Sequence, residues 1–190
     1  MNHIEFVIIF IVVIMILFYI QKKYNEVEYV VSTVDNRRYL VRNKPHKQEA
    51  ADMLARLNIK LQKLIQHLKA NFKDKDGVDR LDDNYSVENI SEGSDDTNYT
   101  SCSVNKGEQI VFCLRQRDES QEFVDENVLM YVATHELGHL MTKEIGHTDT
   151  FWDNFKFLLE EAIKIKVYTK HNFKSDPMEY CGLNIKSSIV

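Results

Sequence analysis

The chain lacks an excess of positive charge. Its 24 Lys and Arg stand against 29 Asp and Glu, a formal net charge of −5. That balance argues against a nucleic-acid partner, whose binding domains carry a basic face. Cysteine is scarce, and its number is odd: Cys102, Cys113 and Cys181. An odd set cannot pair completely within one chain, which agrees with a reducing compartment. No internal repeat or low-complexity tract is present, and the aliphatic and aromatic content is ample, so global disorder is excluded.

A further absence concerns the N-terminus. No Lys or Arg precedes the apolar run Phe6 to Ile20, and no small-residue cleavage site follows it. A cleaved secretory signal has both. As a helix the run spans about 22 Å, against a hydrocarbon core of about 27–30 Å. Flanking Ile4 and Tyr24, with some bilayer thinning, close that gap. A buried core helix is the competing reading at this length. The run is apolar all round and rich in β-branched residues, which favours a single transmembrane anchor over residues 4–21. Lys22 and Lys23 follow it, with Arg37, Arg38 and Arg42 not far behind. The positive-inside rule then places the following domain in the cytosol. Asn84, Asn89 and Asn98 each begin an N-x-[ST] sequon, and glycans on them would require the opposite topology.

The most informative stretch is His135-Glu136-Leu137-Gly138-His139. Residues four apart share a helix face, so two imidazoles can aim at one cation. Imidazole suits Zn²⁺ at about 2.0–2.1 Å. Glu136, next to the first ligand, can take a proton from water without being a ligand. Zinc lowers the pKa of a coordinated water to about 7, so a nucleophile exists at neutral pH. The apolar residues Val128, Leu129, Val132 and Leu140 recur at helical spacing around the motif. Gly138 costs a helix about 1 kcal/mol against Ala. Its presence there implies a close neighbour.

A catalytic zinc takes three protein ligands and one open position. Gly146 reads as the C-terminal cap of the motif helix, and His147 directly after it can fold back to the metal. Glu160 and Glu161 are the rival third ligands, at the spacing of a Glu on the next helix. The metzincin pattern fails, because Thr142 and Ile145 hold its Gly and last His places. The motif, then Gly146-His147, then Phe151-Trp152, resembles the SprT/WLM-type small metallopeptidases over about residues 128–163. That resemblance implies His147 as the third ligand, one Zn²⁺ per chain and a protein or peptide substrate. The family is associated with proteolysis of DNA–protein crosslinks. The anchor and the missing basic excess set this chain apart from that role. The order of elements also resembles small anchored metallopeptidases encoded by large DNA viruses.

The remaining chain reads as an α+β, zincin-like domain with a small antiparallel sheet. A membrane-proximal β-like segment spans 22–45, with Asp35-Asn36 as a turn, and the metallopeptidase domain spans 46–190. A long amphipathic helix runs from about His46 to Asn71, with Ala50, Leu54, Leu57, Leu61, Leu64 and Leu68 on one face. Residues 74–96 carry nine Asp and Glu against Lys75 and Arg80, and read as an exposed acidic loop that Leu81, Tyr85 and Ile90 pin down in part. A hairpin pairs Tyr99–Val104 with Gln109–Arg115 about a turn at Lys106-Gly107. Its register sets Cys102 opposite Val111, so Cys102 and Cys113 do not bond. Thr148 or Asp149 caps a last helix to about Tyr168. Tyr168 and Tyr180 read as packing residues rather than oxyanion donors, and the tail from His171 shows little periodicity. The reading is a membrane-tethered zinc endopeptidase with Glu136 as general base. The alternatives are a zinc-binding, non-proteolytic structural or virion protein, and a zinc hydrolase of another bond.

Overall fold

In a computed structural model, residues 3–24, 26–94 and 99–190 are described. The first element is α1 (His3–Tyr24), long and apolar enough to cross a membrane, with none of the span buried against the rest of the chain. The hairpin β1 (Val27–Val31) and β2 (Arg38–Arg42) follows, antiparallel as the Asp35-Asn36 turn implies. Then come α2 (Lys47–Asn71), α3 (Val78–Asn84), a single 3-10 turn over Val87–Asn89 and β3 (Ile90–Glu92). The hairpin β4 (Ser101–Val104) and β5 (Gln109–Phe112) leads to α4 (Glu126–Met141) and α5 (Asp149–Lys164). A short hairpin, β6 (Met178–Tyr180) and β7 (Leu183–Ile185), lies near the C-terminus.

The chain is α+β, but its main sheet is mixed rather than antiparallel, in the order β1-β2-β3-β5-β4. Strand β3 pairs in parallel with both β2 and β5. It lies inside the stretch read as an exposed acidic loop, which instead contains α3 and this strand, anchored in part by the apolar residues expected to pin it. Val78, Leu81 and Ile90 are buried, and so is Glu92. The Glu92 carboxylate accepts from the Arg42 amide at 2.8 Å and from Arg115 Nε at 2.9 Å. A strand one residue wide in its acid content thus becomes the middle of the sheet, because its charge is neutralised by a partner 23 positions later.

Helix α2 lies across β1, β2 and β3, and α4 packs on α5, α3 and β4. The expected face of α2 is buried from Ala50 to Leu68. Asp52 on that helix holds the first hairpin. Its carboxylate accepts from Ser32 Oγ at 2.7 Å, from the Thr33 amide at 2.7 Å and from Thr33 Oγ1 at 2.9 Å.

The cysteines depart from the expected redox picture. Cys102 lies opposite Val111 and is free, as its register implies. Cys113 is bonded to Cys181, which ties the C-terminal hairpin to the end of β5. The odd count therefore carries no argument for a reducing compartment. The sequon at Asn98 lies outside the described residues. Asn89 is already committed, donating to the Gly107 carbonyl at 2.8 Å, and its sequon Ser91 is buried.

Burial raises the Asp52 pKa, but the Ser32, Thr33 and Gln48 donors outweigh it, so the net shift is downward. A carboxyl depressed in the fold stabilises above its unfolded pKa of about 3.9 and loses that contribution as pH falls through the folded value. Asp52→Ala is expected to cost about 2–3 kcal/mol at neutral pH, the scale of hydrogen bonds to a charged acceptor. Urea unfolding of the full chain in detergent should show the gap to wild type closing below about pH 4.

Candidate metal centre

Helix α4 starts where Asp125 caps it, its side chain accepting from the amides of Asn127 and Val128 at 2.8 and 2.9 Å. The start fixes the phase that aims His135 and His139 to one side. The end differs from expectation. The helix stops at Met141, and Gly146 is no cap but a left-handed residue (φ 90°) in the loop beyond. Thr142 is the cap. Its backbone is extended, its amide makes the last helical bond to the Gly138 carbonyl at 3.0 Å, and its hydroxyl donates to the same oxygen at 2.7 Å. Asn154 of α5 donates to that hydroxyl at 3.0 Å. The chain returns over five residues and restarts as α5, where Thr148 caps the Phe151 amide.

The return brings His147 to the other two histidines. Ligand atoms of His135, His139 and His147 all lie within 4.8 Å of one another. The Nε2 atoms of His135 and His147 stand 3.0 Å apart. Tetrahedral zinc with nitrogen ligands at 2.0–2.1 Å sets them about 3.3 Å apart, so the triad needs little adjustment to hold one ion. The rings are also in the form a metal requires. Burial, with His139 and His147 nearby, pushes His135 down to about 3. Burial, with His147 and Lys106 nearby, pushes His139 down to about 4. Both are neutral donors at physiological pH.

The two rival carboxylates lie elsewhere. Glu161 is buried against α2, 2.9 Å from His67 Nε2 and paired with Lys164. Glu160 is exposed on a separate surface beside Lys156 and Lys164. Neither joins the histidines.

Phe151 explains Gly138. A Cβ added at Gly138 would come within 3.0 Å of the Phe151 ring, and that ring stacks on His139 with centroids 4.3 Å apart. The glycine lets α5 approach closely enough to back the ligand. Trp152, half-exposed, stacks on His147 at 5.5 Å. It forms an outer wall of the site.

Glu136 is buried and borders the same cleft, a cavity of about 500 Å³ between β4 and the loop that carries His147. Its Oε1 accepts from Ser101 Oγ at 2.7 Å. Burial raises its pKa, opposed by the Ser101 hydroxyl and the Ser103 amide. The other cleft residues include Thr100, Cys102, Asn105 and Lys106. Ser101 and Lys106 were not singled out as site residues in the sequence. Their only local signal is a place in the hairpin before the motif, and their contacts are 33 or more positions away. Tyr168 and Tyr180 are buried and do not line the cleft, and Tyr180 donates to the Thr100 carbonyl at 3.4 Å.

Comparison with known proteins bears on the family and the fold. A family model described as the WLM domain matches residues 32–188. The chain is 34% identical over 185 residues to "Uncharacterized protein R325" of Acanthamoeba polyphaga mimivirus, covering 95% of this chain and 93% of that one. It is 35% identical over 69 residues to "Uncharacterized protein 136R" of Invertebrate iridescent virus 6, covering 36% and 38% of the two chains. Among solved structures, Wss1 from Saccharomyces cerevisiae superposes with a TM-score of 0.51 at 23% identity, over 67% of this chain and 88% of that one. At that identity the superposition speaks for the fold alone. The family match over most of the chain and the long viral relative decide the matter: this protein belongs to the WLM domain family.

Proposed function

We propose that this protein is a membrane-tethered, zinc-dependent endopeptidase. The observation that carries the reading is the meeting of His135, His139 and His147 beside a buried Glu136 in one open cleft. Zinc, when bound, polarises a scissile carbonyl and acidifies water in its open position. The chain's own residues supply the rest. Glu136 takes a proton from the attacking water and later delivers it to the leaving amine. Ser101 donates to Oε1 of that carboxylate and so orients it at the edge of the cleft. Strand β4 is an edge of the sheet, pairing only with β5 among the described residues. An extended substrate can pair along that edge and lie across the histidines. Helix α1 supplies the tether, and the basic residues after it favour a cytosolic domain. The Cys113–Cys181 bond then requires an oxidant acting on that side.

Purified full-length protein should hold one zinc per chain by elemental analysis. His135→Ala, His139→Ala and His147→Ala should each lose most of it, while Glu160→Ala and Glu161→Ala keep it. Retention of full zinc and activity by His147→Ala would remove that residue from the ligand set.

Glu136→Gln keeps the shape and removes the basic oxygen. It should retain zinc and fold but lose hydrolysis of a casein substrate by about 10²–10⁴-fold. Zinc binding without casein cleavage by the wild type would instead favour a structural role or a different bond.

Alkaline carbonate extraction should leave the full chain in the pellet, and, separately, protease added to intact microsomes should digest the domain. A protected domain carrying endoglycosidase-sensitive mass at a sequon would reverse the topology and make the disulfide the expected state of a lumenal protein.

A further inference from the structure

The turn between β4 and β5 does more than join two strands. Asn105, Lys106 and Gly107 all have left-handed backbones, with φ of 46°, 58° and 112°. This run turns the Lys106 side chain out of the hairpin and over the end of α4. There its ammonium donates to three carbonyls: His139 at 3.0 Å, Thr142 at 2.7 Å and Glu144 at 2.8 Å. An ammonium has three N–H donors, and each finds an acceptor.

The three acceptors belong to two different pieces of chain. The His139 carbonyl is in the last turn of α4, where carbonyls lack helical partners and a cation is favoured. The Glu144 carbonyl lies in the loop that carries His147, and the Thr142 carbonyl is at the junction. Besides Lys106, that loop is held by its His147 ring, which lies against His135, Phe151 and Trp152. Lys143, Glu144, Ile145, Gly146 and His147 are all exposed, with Ile145 90% so. Arg80 is a second cation at the helix end, but it donates to the Met141 carbonyl, inside the helix, and does not reach the loop.

We propose that Lys106 is a positioning residue of the centre, pinning the His147 loop to the end of the helix that carries His135 and His139. It also ties that loop to the β4 edge, so one side chain sets the spacing of the two cleft walls. What the pinned histidine does rests on the zinc reading above; the pinning itself does not.

The chain contains a built-in reporter. Its single tryptophan, Trp152, is 40% exposed and stacks on His147. Full-length protein in detergent, stripped of metal with EDTA, is compared as wild type, Lys106→Met, Lys106→Arg and His147→Ala. The readouts are acrylamide quenching of Trp152 and thermal melting by circular dichroism. Zinc affinity is then measured by chelator competition, adding the double variant K106M/H147A. Lys106→Met should quench like His147→Ala, and Lys106→Arg like wild type. Lys106→Met should weaken zinc binding by about 10–100-fold, the scale for a group that orients a ligand. In the His147→Ala background the same change should have no further effect.

Wild-type quenching and wild-type zinc affinity in a folded Lys106→Met protein would overturn the proposal. An equal zinc loss with and without His147 would also overturn it, since Lys106 would then act on the helix alone. If Lys106→Met fails to melt cooperatively, Lys106→Gln, too short to span all three carbonyls, is read by the same criteria. A wild type that takes up no zinc would sink the proposed function, while the metal-free quenching comparison would still decide the role of Lys106.

Discussion

One helix face offers a metal two imidazoles a turn apart, and no third within reach. The third must come from chain that has left the helix and turned back. Much of the C-terminal half follows from that constraint. Helix α4 has to stop within a residue or two of its second histidine, and it does so at Thr142, whose backbone turns extended while its amide and hydroxyl both donate to the Gly138 carbonyl. The next helix has to begin almost at once, and Thr148 begins it. The two helices must then lie close together, so Gly138 presents no side chain to Phe151. Phe151 fills the space and supports the His139 ring. Cap, break, glycine and aromatic are four answers to a single geometric need.

The other wall of the cleft depends on a buried charge. Strand β4 hangs on β5, and β5 on β3. At the end of β3, Glu92 is bonded to Arg115 with both side chains almost fully buried. Burying such a pair costs several kcal/mol per ion unless its remaining donors and acceptors are met. Here most are met: the second Glu92 oxygen accepts from the Arg42 amide, and Arg115 donates to the Pro45 carbonyl at 2.7 Å, while its Nη2 has no hydrogen-bond partner among the described residues. The pair thereby joins β2, β3, the chain after β5 and the approach to α2. Ser101 and Lys106 are placed only as well as this junction places β5.

What could be read from the sequence was what repeats locally. The apolar periodicity of α2, α4 and α5, the β4–β5 hairpin with its register, and the HExxH spacing all lie within short windows. What escaped was non-local. Nine acids in 74–96 look solvated by composition, and nothing nearby says that Glu92 has an arginine waiting 23 positions on. Parallel pairing of β3 leaves no hairpin signature, so the sheet read as antiparallel. The Cys113–Cys181 bond joins residues 68 apart, and neither cysteine has a spacing that names its partner. Gly146 looked like a cap because glycine commonly ends helices. This one ends earlier, at Thr142, where the backbone turns extended and the hydroxyl is held by Asn154 from α5. The role of Lys106 was hidden for a similar reason: a turn lysine is ordinary until the helix end lies under it.

The sheet order also separates α1 from the cleft. Helix α1 leads into β1, one edge of the sheet, and the cleft is built against β4, the other edge. Four strand spacings of about 4.8 Å put roughly 19 Å between those edges. Only residues 25 and 26 separate the end of α1 from β1, so the first edge is the one held near the tether. The histidines are therefore carried by the part of the domain farthest along the sheet from α1. On the tethering proposed above, anchor and cleft belong to opposite edges of the sheet, and the strand along which an extended chain would pair is the one remote from α1 in the sheet order.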